Sequence, residues 1–218
     1  MKDIDFLLIS DPKIWAMTVN ECHEPLVDLK QLNFKISLNR ASFYHGFTKV
    51  RESVANKLLQ AMQYLPEDMT FLFSEGHRPI SLQRTMFTDY YRELAQANPS
   101  WDDNTLKREV VKFIAPPDDV PPHSTGGAID ITLIDAEGNE LDMGSILDES
   151  PDKNENRNFT HTKNISEQAK ANRTILINAL SRVGFVNYPA EWWHWSYGDK
   201  YWAYHAQSPH ALYGSIES

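Results

Sequence analysis

Two short stretches hold the side chains best suited to chemistry. In the first, Pro121-Pro122-His123-Ser124-Thr125-Gly126-Gly127-Ala128-Ile129-Asp130, a histidine stands seven residues ahead of an aspartate with two glycines between them. In the second, Glu191-Trp192-Trp193-His194, a glutamate precedes a histidine by three positions. His123, Asp130 and His194 make a two-histidine, one-carboxylate set, common around catalytic zinc, which leaves one coordination position open for water. Zinc lowers the pKa of a bound water from about 16 to about 7, so hydroxide becomes available at neutral pH. Glu191, beside the second histidine, is of the right type to accept that proton and later pass it to a leaving amine. Arg78, in Gly76-His77-Arg78-Pro79, completes the set, because a guanidinium near a scissile carbonyl stabilises the oxyanion as it forms.

Each residue also has a plainer reading. Taken alone, Arg78 is a salt-bridge partner. Asp130 lies in an apolar run, and an unpaired carboxylate buried there is costly. It therefore requires a cation, which a metal, Arg78 or another basic side chain can supply. His23, His45, His161, His205 and His210 read as surface or core residues, and Trp192, Trp193 and Trp195 as core or pocket wall. The set outweighs these readings because it combines ligands, base and electrophile in one chain.

These residues need elements to position them. The β-branched, apolar run after Gly127 predicts a buried strand carrying Asp130. Prolines 116, 117, 121 and 122 predict a stiff, extended approach to His123. Phe47, Val50, Val54, Leu58, Met62 and Leu65 recur at helical spacing, with Pro66 closing the segment. A strand over 70–73 leads to Arg78, and Ser81 reads as the cap of a helix carrying Leu82, Met86, Tyr90 and Leu94. A further helix is expected over 104–114, a turn over 135–139, and a helix over 166–183 with Gly184 in the C′ position. A strand over 185–188 then delivers Glu191, and the aromatic run Tyr201–Tyr204 follows. The stretch 149–164 is very polar and reads as a long surface loop, while residues 1–46 give no firm assignment. Helices separated by strands, with polar loops to one side, predict an α+β fold.

Composition bounds the partners. At 218 residues and 41% hydrophobic, the chain suffices for a single domain over 1–218 with a proper core. A net charge of −9 argues against nucleic-acid or anionic-membrane partners. Cys22 is the single cysteine, which excludes an internal disulfide and a site built of several thiolates. The N-terminal apolar run is four residues long and flanked by aspartates. It reads as neither signal peptide nor membrane span, so a cytoplasmic protein is expected.

In this order, the blocks His123-Ser-Thr-Gly-Gly-Ala-Ile-Asp130, Glu191-Trp-Trp-His194 and Gly76-His-Arg78-Pro resemble the zinc D-alanyl-D-alanine dipeptidases of the VanX type. The resemblance continues at Met143-Gly-Ser-Ile-Leu-Asp148 and covers about residues 25 to 200. The His…Asp and Glu-x-x-His pieces are shared with a wider group of peptidoglycan D,D-peptidases; the doubled tryptophan and the Met-Gly-Ser block narrow the match. It implies one zinc per chain on His123, Asp130 and His194, with Glu191 as acid/base and Arg78 stabilising the tetrahedral intermediate. It further implies that Asp148 holds the substrate ammonium and that Glu75, where an aspartate is usual beside the arginine, belongs with it to the substrate-binding residues. The implied fold is α+β, a central antiparallel sheet flanked by helices with zinc in a cleft. The implied reaction is hydrolysis of free D-Ala-D-Ala, a small dipeptide, to D-alanine. One departure is Pro121, which stands where the family carries a substrate-contacting serine. The alternative readings are a D,D-carboxypeptidase or muropeptide-trimming peptidase, and a zinc-binding interaction protein without catalysis.

Overall fold

The apolar run after Gly127 becomes the strand about which the molecule is built. In the computed structural model, which describes residues 6–39, 41, 44–111, 113–149 and 154–217, β5 (Ala128–Asp135) is buried at every position but its last. It pairs antiparallel with β4 (Met69–Glu75) on one edge and β7 (His194–Ser196) on the other. The five-stranded sheet is completed by β6 (Val186–Asn187), antiparallel to β7, and β2 (Lys35–Ile36), parallel to β4. A separate antiparallel pair joins β1 (Leu26–Asp28) to β3 (Lys49–Arg51). With six α-helices among the described residues, the architecture is α+β, its sheet antiparallel apart from that one edge pair.

Strand alternation divides the sheet's two faces. Ile129, Ile131 and Leu133 join Phe71 and Phe73 in the main core. That face is covered by α2 (Glu52–Met62), through Val54 and Leu58, and α5 (Glu167–Arg182), through Leu176 and Leu180. Asp130 therefore belongs to the opposite face. The register then sets Glu75 against Asp130, after an irregularity between Phe73 and Glu75, and Asp130 against His194. Directly opposed residues share a face, so three site residues stand abreast on three strands.

Several boundaries differ from the sequence reading. Residues 49–51 pair with β1, so α2 starts at Glu52 and not near Phe47. The helix over Ile80–Ala97, α3, has Pro79 in its cap position with no side-chain cap bond, and Ser81 lies inside it. α4 spans Asp103–Val110, capped by the Asp102 carboxylate on Thr105 N–H. The proline-rich approach ends in one 3-10 turn, Pro122–Thr125, with Gly126 at φ 71°. The Ser124 and Thr125 hydroxyls close that turn on the Pro121 and Pro122 carbonyls, each at 2.6 Å.

The polar stretch 149–164, of which 150–153 lie outside the described residues, is largely exposed or half-buried loop, but three of its polar residues turn inward. Asn154, Asn158 and Thr160 are buried. Arg173 of α5 donates to Met143 O (2.8 Å), Phe159 O (2.7 Å) and Arg157 O (2.6 Å). Asn158 donates to Ala190 O at 2.9 Å and accepts from Trp192 N–H at 3.0 Å. The polar residues satisfy a buried backbone, and in doing so grip both neighbours of Glu191. The N-terminal region forms α1 (Pro12–Trp15) and strands of two or three residues, and α6 (Lys200–His205) begins at the Asp199 cap. Among the described residues no helix is long and apolar enough to cross a membrane.

Candidate active site

His123 comes from the 3-10 turn, Asp130 from β5 and His194 from β7, and all three are buried. His123 Nε2 and His194 Nδ1 are 3.1 Å apart, and Asp130 Oδ1 lies 3.4 Å from the first and 3.1 Å from the second. Ligand bonds of about 2.0–2.1 Å in a tetrahedral shell put donor atoms roughly 3.3 Å apart. The triangle therefore has the size and the N,N,O donor set of a zinc site. His123 Nδ1–H donates to Gly76 O at 2.8 Å, which leaves Nε2 with its lone pair on the triangle. Burial works against a charge on His123, but the Asp130 carboxylate outweighs it and holds the imidazole above its ordinary pKa. Burial likewise works against the Asp130 charge, and His123 and His194 still hold that carboxyl well below the usual range.

Glu191 Oε2 is 4.0 Å from His194 Nδ1, with 26% of its side chain exposed. Burial, reinforced by the Asp130 and Asp148 carboxylates, pushes Glu191 up to about 7 against the pull of His194 and Arg78. Arg78 is held as a fork. Its Nε–H and one Nη2–H reach the two oxygens of Glu75, each at 2.7 Å, and one Nη1–H reaches Gln83 Oε1 at 2.8 Å. Of its five donors, one N–H on each terminal nitrogen has no hydrogen-bond partner among the described residues. Burial opposes the charge on Arg78, but Glu75 more than offsets it.

Arg78, Asp130, Asp148, Glu191 and both histidines line one cavity of about 130 Å³. That is well below the roughly 300–1,000 Å³ of pockets for drug-sized ligands. Ile9, Met86, Val111, Phe113, Pro121 and Tyr188 supply much of the remaining wall. Asp148 holds a left-handed backbone, φ 66°. Its segment is fixed by Arg173 on Met143 O and by Trp192 Nε1–H on Ser145 Oγ at 3.0 Å. The tryptophan motif and the Met-Gly-Ser block thus touch each other.

Glu75 requires a correction. It is 1% exposed, spent on Arg78 and on the Tyr44 hydroxyl at 2.7 Å, and is not among the cavity's lining residues. It stands behind Arg78, which faces the cavity in its place. Three contributors escaped the sequence reading: Gln83, Tyr188 and the carbonyl of Gly76. Gln83 is the buried residue of α3, and its Nε2–H continues to Ala115 O at 2.8 Å. Its position five residues after Arg78, on the first turns of an expected helix, was the available signal.

Gly76 leaves no room for a side chain. An added Cβ would press into Lys49 O and Val50 Cγ1. Gly76→Ala is expected to cost about 1–3 kcal/mol by overpacking and to weaken zinc binding, because the displaced carbonyl is the one that orients His123. Thermal melting and zinc titration check both effects; unchanged zinc affinity would mean that the carbonyl contact is dispensable.

A family model described as D-ala-D-ala dipeptidase matches residues 43–212. The chain belongs to this family. It is 28% identical over 237 residues to a D-alanyl-D-alanine dipeptidase of Synechocystis sp., covering 93% of this chain and 96% of that one. A D-alanyl-D-alanine dipeptidase of Escherichia coli is 40% identical over 72 residues, 33% of this chain and 35% of that one. Among solved structures, a vancomycin-resistance D,D-pentapeptidase, VanY, in complex with Zn(II) aligns at TM-score 0.46 and 15% identity, covering 88% of this chain and 94% of that one. The protein is a peptidase of the D,D class.

Proposed function

We propose that the protein hydrolyses the free dipeptide D-Ala-D-Ala to D-alanine, with one zinc ion held by His123 Nε2, Asp130 Oδ1 and His194 Nδ1. The ion supplies, when bound, a Lewis acid and an acidified water. Glu191 takes the proton of the attacking water and returns it to the amine nitrogen as the peptide C–N bond breaks, so the residue ends as it began. A carboxyl group lifted to about 7 suits both directions of that transfer near neutral pH. The two spare N–H groups of Arg78 are available to the developing oxyanion, in a wall where charge is poorly screened. Asp148 receives the substrate ammonium, and Glu75 and Gln83 keep the guanidinium in place.

The observation that carries this reading is the cavity itself. Its small volume brings the Asp148 and Glu191 carboxyl groups together with cationic Arg78, which suits a short ligand with a charge at each end. A blocked or uncharged analogue would lack one of these charge pairings and is expected to be a poorer substrate.

The test is amine release from D-Ala-D-Ala, L-Ala-D-Ala, L-Ala-L-Ala and an N-blocked D-Ala-D-Ala, each with and without chelator. Release from free D-Ala-D-Ala, abolished by chelator and restored by zinc, is expected. Release from the blocked compound would favour a carboxypeptidase. Zinc uptake without release from any of them would favour a binding role without catalysis.

A further inference from the structure

Residues 213–217 lie beyond the family-matched span of 43–212, yet they run across the back of the turn that carries His123. Ile216 N–H donates to Ser124 O at 2.8 Å. The Ser215 and Ser124 hydroxyls are 2.7 Å apart. Ser124 spends its own proton on Pro121 O, so Ser215 is the donor in that pair. The same tail holds the end of β4, where His77 Nε2–H meets Ile216 O at 3.2 Å.

Its root is anchored as firmly. Arg51 is 2% exposed, and all five of its side-chain N–H groups are used. Nε–H donates to Thr125 O (2.8 Å), Nη1 to Glu24 O (2.6 Å) and Glu21 (3.1 Å), and Nη2 to Glu21 (3.0 Å) and Gly214 O (3.3 Å). The guanidinium also lies 4.8 Å from the Tyr213 ring centre. One cation thus joins the tail to the far side of the same turn.

The tail therefore bridges the two segments whose mutual geometry defines the site. One is Pro122–Thr125, which supplies His123. The other is Gly76-His77-Arg78, which takes His123 Nδ1–H on Gly76 O and supplies the guanidinium. Their direct link is that bond and Arg78 N–H on His123 O at 3.0 Å.

We propose that Ser215 and Ile216 are positioning residues for His123, a strap that fixes the ligand-bearing turn against the end of β4. The inference rests on the zinc reading of the triangle and not on the identity of the substrate. Loss of support to a histidine ligand typically weakens metal binding about 10–100-fold. A tail that only added packing would lower stability equally with and without zinc and leave the affinity alone.

The experiment uses a chain ended after Gly214, together with Ser215→Ala and Ser215→Thr. Zinc affinity is read by competition with a chromophoric chelator, beside melting of each metal-stripped protein and kcat and KM for D-Ala-D-Ala. The shortened chain is expected to bind zinc about 10–100-fold more weakly, with kcat reduced and KM little changed. Ser215→Ala is expected to weaken zinc measurably without changing the melting of the stripped protein, and Ser215→Thr, which keeps the hydroxyl, to restore it. Wild-type affinity in Ser215→Ala, or a loss that threonine does not repair, overturns the proposal, and this pair decides it even if the shortened chain does not fold. A full-length protein that takes up no zinc would overturn the metal reading and the strap together. Failure of the dipeptide reading would show in hydrolysis alone, leaving zinc uptake intact.

Discussion

Glu191→Gln is expected to keep the fold and the zinc while lowering kcat by a factor of about 10²–10⁴, the usual weight of a general acid–base group. Glutamine preserves the shape of the side chain but cannot carry a proton from water to amine. The substitution leaves the triangle alone, since Glu191 Oε2 is 4.0 Å from His194 Nδ1, too far for a hydrogen bond. Its effect on stability has the opposite sign. In the metal-stripped protein burial holds Glu191 at about 7, above its ordinary 4.5. The folded state then keeps a proton that the unfolded chain has released, so this group's contribution to stability falls as pH rises from about 4.5 through about 7. Glutamine does not ionise, so the stripped variant should melt no lower than wild type at acid pH and higher above pH 7. Elemental analysis, kcat and melting across pH read all three effects. A variant within tenfold of wild-type turnover would remove Glu191 from the acid/base role.

The residues of the site were more legible than their supports. His123 and Asp130 are close in sequence, and the strand between them follows from β-branched, apolar composition, so their convergence could be read locally. That Asp130 lies opposite both Glu75 and His194 is a matter of strand register, which depends on pairings distant in sequence. Glu75 was assigned to substrate because sequence adjacency to Arg78 does not tell a partner of the guanidinium from a wall of the cavity. The inward-turned residues of the stretch 149–164 are illegible for a related reason. Its asparagines are hydrophilic, and only the fold reveals that Asn158 and Arg173 satisfy buried backbone carbonyls. The N-terminal region was illegible because strands of two or three residues carry no period, and Ile9 became a cavity wall through tertiary packing alone.

Asp130→Asn is expected to remove zinc and, with it, hydrolysis. Asparagine fits the same space on β5, but it replaces the one anionic ligand of the triangle with a neutral, poorer donor. In a shell of two imidazoles the carboxylate also offsets part of the ion's charge, in a place that is 3% exposed. Zinc that binds only the folded state adds its binding free energy to stability. The wild-type protein should therefore melt higher with zinc than without, and the variant should show no such gap. In the stripped proteins the comparison isolates the carboxylate. Its folded pKa lies below the ordinary 3.8, so its contribution is present above about pH 4 and lost as acid titrates it. The pKa of His123 is raised above 6.5, so its share is full below that value and lost as pH rises through the folded value. The His123–Asp130 pair therefore supports the stripped protein most between about pH 4 and 6.5. There Asp130→Asn should cost on the order of 3–5 kcal/mol, the usual penalty for breaking a buried pair from one side. As pH rises further the difference should shrink, because the wild-type carboxylate then faces a neutral imidazole and loses its partner. Wild-type zinc content in the variant would exclude Asp130 as a ligand. A stability difference that does not vary with pH would mean that shape, and not charge, is what Asp130 contributes beneath the metal.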